Sequence, residues 1–155
     1  MDILRLLTNN KLKISVAESC TGGLVAKLLT DNSGASACFD MGFITYSNEA
    51  KTRLLGVSPQ TLSQYGAVSA ETALQMCEGA AEKSDADIAL SVTGIAGPTG
   101  GSPSKPVGLV YIGVCGKFGA KTQRFIFSGE RSDIRNAAAL KAIQIAGEYI
   151  VQYYN

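Results

Sequence analysis

Two strand-length apolar runs, residues 88–93 (IALSVT) and 107–114 (VGLVYIGV), flank thirteen residues that hold four glycines and three of the chain's four prolines. The runs read as buried strands, and a sheet built from such strands needs helices over its faces. The segment between them, residues 94–106 (GIAGPTGGSPSKP), is anchored at both ends. Glycine lets backbone amides approach where a β-carbon would clash, and proline lowers the entropy cost of ordering a long loop. Two readings follow, a binding loop or an ordered connection. The glycines fall at 94, 97, 100 and 101, matching neither the Walker pattern nor the dinucleotide fingerprint.

The rest of the chain alternates helix-like and strand-like segments. Residues 2–10 space Ile3, Leu4, Leu6 and Leu7 as a short amphipathic helix would. Residues 13–17 read as a strand and 21–29 as a helix whose opening contains Gly22 and Gly23. A turn at 31–34 leads to a strand at 38–46 and a helix at 48–54 begun by Ser47 or Asn48. Ser58 and Pro59 suit a cap followed by proline in the first helical position. Ser69 suits the cap of a helix to about residue 83, with Ala73, Met76, Cys77 and Ala80 on one face. A hairpin turn at 116–119 leads into a strand at 121–128. The last helix, 131–152, puts Ile143, Ala146, Gly147, Ile150 and Tyr154 at helical spacing. With no repeat and no internal linker, the pattern predicts one α/β domain over residues 1–155. It is a three-layer α/β/α sandwich, its sheet mixed because the pair within 107–128 runs antiparallel.

Bulk properties narrow the function. A net charge of +1 and the lack of a Lys/Arg cluster give no footprint for nucleic acid. No apolar run reaches the roughly 18 residues that span a bilayer, and Asp2 and Arg5 interrupt what a signal peptide would need. A cytoplasmic protein without membrane contact is expected. Cys20, Cys38, Cys77 and Cys115 are widely spaced, and the chain has no histidine. Zinc sets of the usual kind are therefore incomplete, no metal or cofactor is expected, and the cysteines read as buried thiols. Without histidine there is no Ser-His-Asp or Cys-His arrangement. A general base has to be Lys, Tyr, Asp or Glu.

Two segments carry candidate chemistry. In Ala17-Glu18-Ser19-Cys20-Thr21-Gly22-Gly23 a strand hands over to a helix, placing Ser19 near free amides at a helix N-terminus that suit an oxyanion. The plainer reading makes Ser19 or Thr21 an N-cap. Cys20 is a competing nucleophile without a sign of thiolate character, and Glu18 is read as ordering the turn. In Tyr46-Ser47-Asn48-Glu49-Ala50-Lys51, Tyr46 and Lys51 could reach a site at the same sheet edge. At the reference pKa only about one lysine in 2,500 is neutral at pH 7. Bringing that pKa to about 7 by desolvation takes roughly 4.6 kcal/mol, within the range of buried lysines. A Ser19–Lys51 pair with Tyr46 passing a proton is chemically allowed. The alternative is a surface lysine on a short helix. Five residues separate Tyr46 from Lys51, which excludes the Y-x-x-x-K pattern of short-chain dehydrogenases. Arg131 and Arg135 stand one turn apart at a helix start, where cations are disfavoured unless an anion is in contact. Pairing with Glu130 and Asp133 is the other explanation.

Taken together, AESCTGG, VTGIAGPTGGSPSKPVG and SGERSDIR resemble the family of the C-terminal domain of competence/damage-inducible protein CinA, over about residues 4–151. The resemblance is to a stand-alone form of that domain. It implies an α/β/α sandwich, a homodimer, no metal, and nicotinamide-nucleotide amidase activity in pyridine-nucleotide salvage. By the resemblance Ser19 matches the nucleophile, Lys51 the base, Tyr46 a neighbouring proton carrier and Thr93 a residue that positions the amide. The amides near Cys20, Thr21 and Gly22 would hold the oxyanion. Gly94, Gly97, Gly100 and Gly101 with Arg131 and Arg135 would hold the ribose phosphate. Glu130 stands where the family pattern has Asp. A catalytically silent nucleotide-binding or protein-interaction domain of the same fold is the alternative.

Overall fold

The computed structural model describes residues 2–154. Helix α1 (Ile3–Asn9) precedes strand β1 (Ile14–Glu18), helix α2 (Leu24–Thr30) and a short 3-10 turn (Ala35–Ala37). Strand β2 (Phe39–Ile44) is followed by three helices, α3 (Asn48–Leu55), α4 (Pro59–Tyr65) and α5 (Ala70–Ser84). The chain then forms β3 (Ile88–Gly94), β4 (Leu109–Gly116), β5 (Gly119–Ile126) and the long α6 (Arg131–Tyr153). The five strands lie in the order β2-β1-β3-β4-β5. The first three are mutually parallel, while β4 runs antiparallel to β3 and β5 antiparallel to β4.

Alternation along the strands divides the core between two faces. Ile88, Leu90 and Val92 of β3 join Ile14, Val16, Val110, Ile112 and Val114 on one face, covered by α1, α2 and α6 through Leu7, Val25, Leu29, Ile134, Ile145 and Tyr149. On the other, Ala17, Ala89 and Cys115 meet Met76, Cys77 and Ala80 of α5, with Leu55 and Val57 beyond. The side chains facing α5 are small, which lets that helix seat closely on the sheet. Helices on both faces of a mixed sheet are the three-layer α/β architecture read from the pattern.

Sequence-level caps explain most helix starts. The side chains of Asp2, Ser47, Ser58 and Ser69 accept amide hydrogens at the heads of α1, α3, α4 and α5. Helix α6 starts at a Glu130–Asp133 capping box, and helix α2 begins at Leu24 rather than residue 21, with Gly23 at its cap position. Gly22 and Gly23 have φ of 54° and 105°, left-handed values that no helix contains and that glycine adopts without strain. The helix-like spacing after Thr21 thus overran a two-glycine turn. In α6, Ile145 and Tyr149 are buried beside the expected Ala146, Gly147 and Ile150, whereas Ile143 and Tyr154 are only half-buried.

Topology sets where a site can form. After β1 the chain goes to the face of α2, and after β2 to the face of α3 and α5, so a crevice opens at the carboxyl ends of adjacent parallel strands. Glu18 pairs with Ile44 on one side and Val92 on the other. The residues next along the chain, Ser19 and Thr45 just past β1 and β2 and Thr93 near the end of β3, therefore emerge side by side.

Candidate active site

Ser19 leaves the end of β1 with its amide still in the sheet, donating to the Val92 carbonyl at 2.9 Å. Its hydroxyl stands 3.0 Å from Lys51 Nζ. Lys51 lies in the first turns of α3, one helical step beyond the Ser47 cap, and only 1% of it is exposed. Nζ also donates to the Thr45 carbonyl at 2.8 Å and reaches the Tyr46 carbonyl at 3.5 Å. No carboxylate pairs with it among the described residues. Burial therefore pushes the Lys51 amine below its ordinary pKa. In the neutral form two N–H bonds can point at the two carbonyls while the lone pair faces Ser19 Oγ, the arrangement a base needs. The surface-lysine alternative does not describe this residue.

The turn amides are divided sharply. Glu18, fully buried, accepts Gly23 N–H (3.0 Å) and Val25 N–H (3.1 Å) on one oxygen and Ala26 N–H (2.9 Å) on the other. Gly22 N–H donates to the Ser19 carbonyl and Leu24 N–H to that of Thr21. Only Cys20 and Thr21 in this stretch have amides with no carbonyl or carboxylate acceptor among the described residues. The free donors are thus turn amides beside Ser19 rather than those of the helix N-terminus, and Gly22 is not one of them. Neither Ser19 nor Thr21 caps α2, whose N-cap is Gly23, without a side-chain bond. Glu18 orders the turn, as expected.

A cleft of about 250 Å³ opens over the serine and lysine. Cys20, Tyr46, Thr93, Gly94, Gly97, Gly100 and Arg131 line it with Ser19 and Lys51. Gly97 takes a φ of 76°, and a β-carbon there would lie 2.5 Å from Val107, so glycine shapes this wall. Burial raises the Cys20 thiol to about 11, which leaves it protonated near neutral pH and removes it as a competing nucleophile. Ala67, Val68, Ile95, Ala96 and Thr99 complete the lining and carried no chemical signal in the sequence.

Several expected roles fall differently. The Tyr46 hydroxyl accepts from Arg131 at 2.9 Å, and no hydrogen bond joins it to Ser19 or Lys51. Thr93 donates its hydroxyl hydrogen to the Ala67 carbonyl at 2.7 Å, leaving only lone pairs toward the cleft. Arg131 also holds the Gly97 carbonyl at 2.7 Å, tying the glycine loop to α6. Arg135 binds the carbonyls of Cys20 and Thr21, both at 3.0 Å, and fastens the turn from behind without lining the cleft. Among the described residues neither arginine forms an ion pair with Glu130 or Asp133, and Asp133 accepts the Glu130 amide. Thr21 is fully buried, and neither Gly22 nor Gly101 borders the cleft. Among the described residues no group of three or more His, Cys, Asp or Glu is placed to hold a metal. No helix among them is long and apolar enough to cross a membrane.

Comparison with known proteins identifies the family and the fold. Residues 1–150 match the family model described as the CinA C-terminal domain. A protein named competence-damage inducible in Caldicellulosiruptor bescii is 55% identical over 151 residues, covering 97% of this chain and 37% of the relative. The chain therefore spans little more than a third of that relative's length. The crystal structure of competence/damage inducible protein CihA from Agrobacterium tumefaciens superposes with a TM-score of 0.90 at 44% identity, covering 96% of this chain and 95% of the other. A CinA superfamily protein of Klebsiella pneumoniae superposes with a TM-score of 0.94 at 33% identity, over 97% and 94%. With the sandwich fold and the match over nearly the whole length in agreement, this chain belongs to the CinA C-terminal domain family.

Proposed function

We propose that the cleft hydrolyses the carboxamide of nicotinamide mononucleotide to nicotinate mononucleotide and ammonia, through a serine ester. One observation carries this reading: a buried lysine, without a carboxylate partner, in contact with the hydroxyl of a serine that precedes two unbonded amides. A domain that only binds a nucleotide has no use for such a lysine, whose burial costs several kcal/mol if charged. The choice of nucleotide comes from the family resemblance, and Arg131 at the rim offers a cation for its phosphate.

The steps follow the groups present. Neutral Lys51 takes the Ser19 proton as Oγ bonds to the carboxamide carbon, and the carbonyl electron pair moves onto oxygen, facing the Cys20 and Thr21 amides. That oxyanion collapses, the C–N bond breaks, and the Lys51 proton leaves with nitrogen as ammonia. Water then attacks the ester, giving its proton to Lys51, and the second collapse returns that proton to Ser19 Oγ. Tyr46, bonded to Arg131, stands outside this relay and orients the arginine.

Ammonia release from nicotinamide mononucleotide, compared with free nicotinamide and the dinucleotide, tests the reading. Turnover is expected with the mononucleotide, and equal efficiency on free nicotinamide would rule out a phosphate-anchored substrate. The same reading includes a cytoplasmic homodimer, for which molar mass in solution is the check.

A further inference from the structure

The geometry points to Glu18 as a positioning residue that prepares the oxyanion site by binding the amides of Gly23, Val25 and Ala26, while backbone carbonyls take those of Gly22 and Leu24. This rests on the amidase reading above. Glu18 is wholly buried, yet none of the ion pairs among the described residues includes it. An ionised carboxylate in that position is costly unless several donors meet it, and here three backbone amides do. A helix start needs nothing so expensive. Helices α1, α3, α4 and α5 use one serine or aspartate each.

The difference lies in what the carboxylate leaves free. A cap at residues 19–21 would fold a hydroxyl back onto the helix and remove it from chemistry. Reaching instead from the last residue of β1, Glu18 spans the turn and caps α2 from beneath. Ser19 Oγ is left for Lys51, and the Cys20 and Thr21 amides for the substrate oxygen. The Glu18 carbonyl meanwhile accepts the Thr45 amide at 2.8 Å, and the Thr45 carbonyl accepts from Lys51 at 2.8 Å. One residue thereby sets the spacing between the turn that bears the nucleophile and the segment that seats the base. Arg135 holds the same turn from its other side, through the carbonyls of Cys20 and Thr21. Cys20 and Thr21 thus each have their carbonyl fixed while their own amides stay open.

Glu18→Gln is the discriminating change. Glutamine keeps the shape but has one acceptor oxygen, so its NH2 group would face an amide donor, that of Ala26 if the doubly bonded oxygen position is kept. The test is the rate at which a fluorophosphonate probe labels Ser19, together with kcat and KM for ammonia release, well below the unfolding temperature. Labelling and kcat are expected to fall together by about tenfold or more, since loss of a whole oxyanion donor costs about 10² to 10³, with KM changed less than about twofold. Asp2→Ala removes the side-chain cap of α1 and serves as the destabilised control with unchanged labelling. A folded Glu18→Gln protein labelled at the wild-type rate overturns the proposal and leaves Glu18 as a helix cap only. If the wild type is labelled but does not release ammonia from the mononucleotide, the substrate reading fails while labelling still decides the role of Glu18. If the wild type is not labelled, both fall. Should the variant not fold, amide NMR of the wild type decides. On adduct formation the Cys20 and Thr21 resonances are expected to move and those of Gly23, Val25 and Ala26 to stay. The opposite pattern overturns the assignment.

Discussion

Two strand-to-helix turns stand side by side at the carboxyl edge of the sheet, and they solve the same problem differently. Between β2 and α3 the chain uses a serine at the cap position, Ser47 accepting the Ala50 amide, and the functional Lys51 sits one turn further on. Between β1 and α2 the cap position holds Gly23 with no side-chain bond, and the acceptor comes from Glu18 in the strand below. The difference teaches that one hydroxyl cannot both cap a helix and act as a nucleophile. Where the serine is free, capping has moved to another residue. Where the serine is a cap, the chemistry has moved to another residue.

Changes at these two turns test that division, the largest effect first. Ser19→Ala and Lys51→Met are each expected to lower kcat by at least about a thousandfold. The double variant should lose little more than either alone, because the two act as a unit. Multiplicative losses in single-turnover assays would show that they act independently. The pH dependence separates the base from its surroundings. Only neutral Lys51 accepts a proton, so kcat/KM should rise with pH through the lowered lysine pKa and level off below the ordinary lysine value of 10.5. Stability should follow the same sign. With the folded pKa depressed, the unfolded state binds the extra proton in the window between the folded and unfolded values. Wild-type unfolding free energy is thus expected to fall as pH drops from the unfolded value through the folded one, a dependence that Lys51→Met should lack in denaturant titrations.

Tyr46→Phe removes the hydroxyl that accepts from Arg131. The expected loss is about tenfold or less in kcat/KM, carried mainly by KM, because the phenol stands outside the proton relay. A kcat loss on the scale of Lys51→Met would put Tyr46 back in the relay. The smallest effect belongs to Ser47→Ala, which should cost about 0.5–2 kcal/mol of stability through the lost cap while kcat stays within about twofold. Thermal unfolding and steady-state rates on the same samples measure both.

Much of this arrangement was legible in the residues themselves. The apolar runs of β3 and β4, the Ser58 and Ser69 caps and the antiparallel pair at the end of the sheet follow from local patterns of burial and capping. Ser19 and Lys51 were legible as residue types beside turns, since a chain without histidine has few bases to offer. Less visible were the roles that depend on direction. Thr93 turns its hydroxyl to Ala67, Tyr46 to Arg131, and Arg135 grips backbone rather than facing the cleft. Sequence spacing assigns a residue to a strand end or a helix turn but not the partner that its side chain meets across the sheet. Glu18 shows the same limit, for its partners lie five to eight residues on, beyond a two-glycine turn that helical periodicity could not resolve.

By itself the sequence determined the alternation of strands and helices, the burial of the sheet on both faces and the small set of groups able to do chemistry. These are properties of neighbouring residues, encoded by period, cap and composition. Only the tertiary structure decided that Lys51 would be stripped of water against Ser19, and that two amides beside that serine would be left without acceptors. A lysine's basicity and an amide's freedom depend on what surrounds them in space. Here those surroundings come from three strand ends that are distant in the chain and adjacent in the sheet.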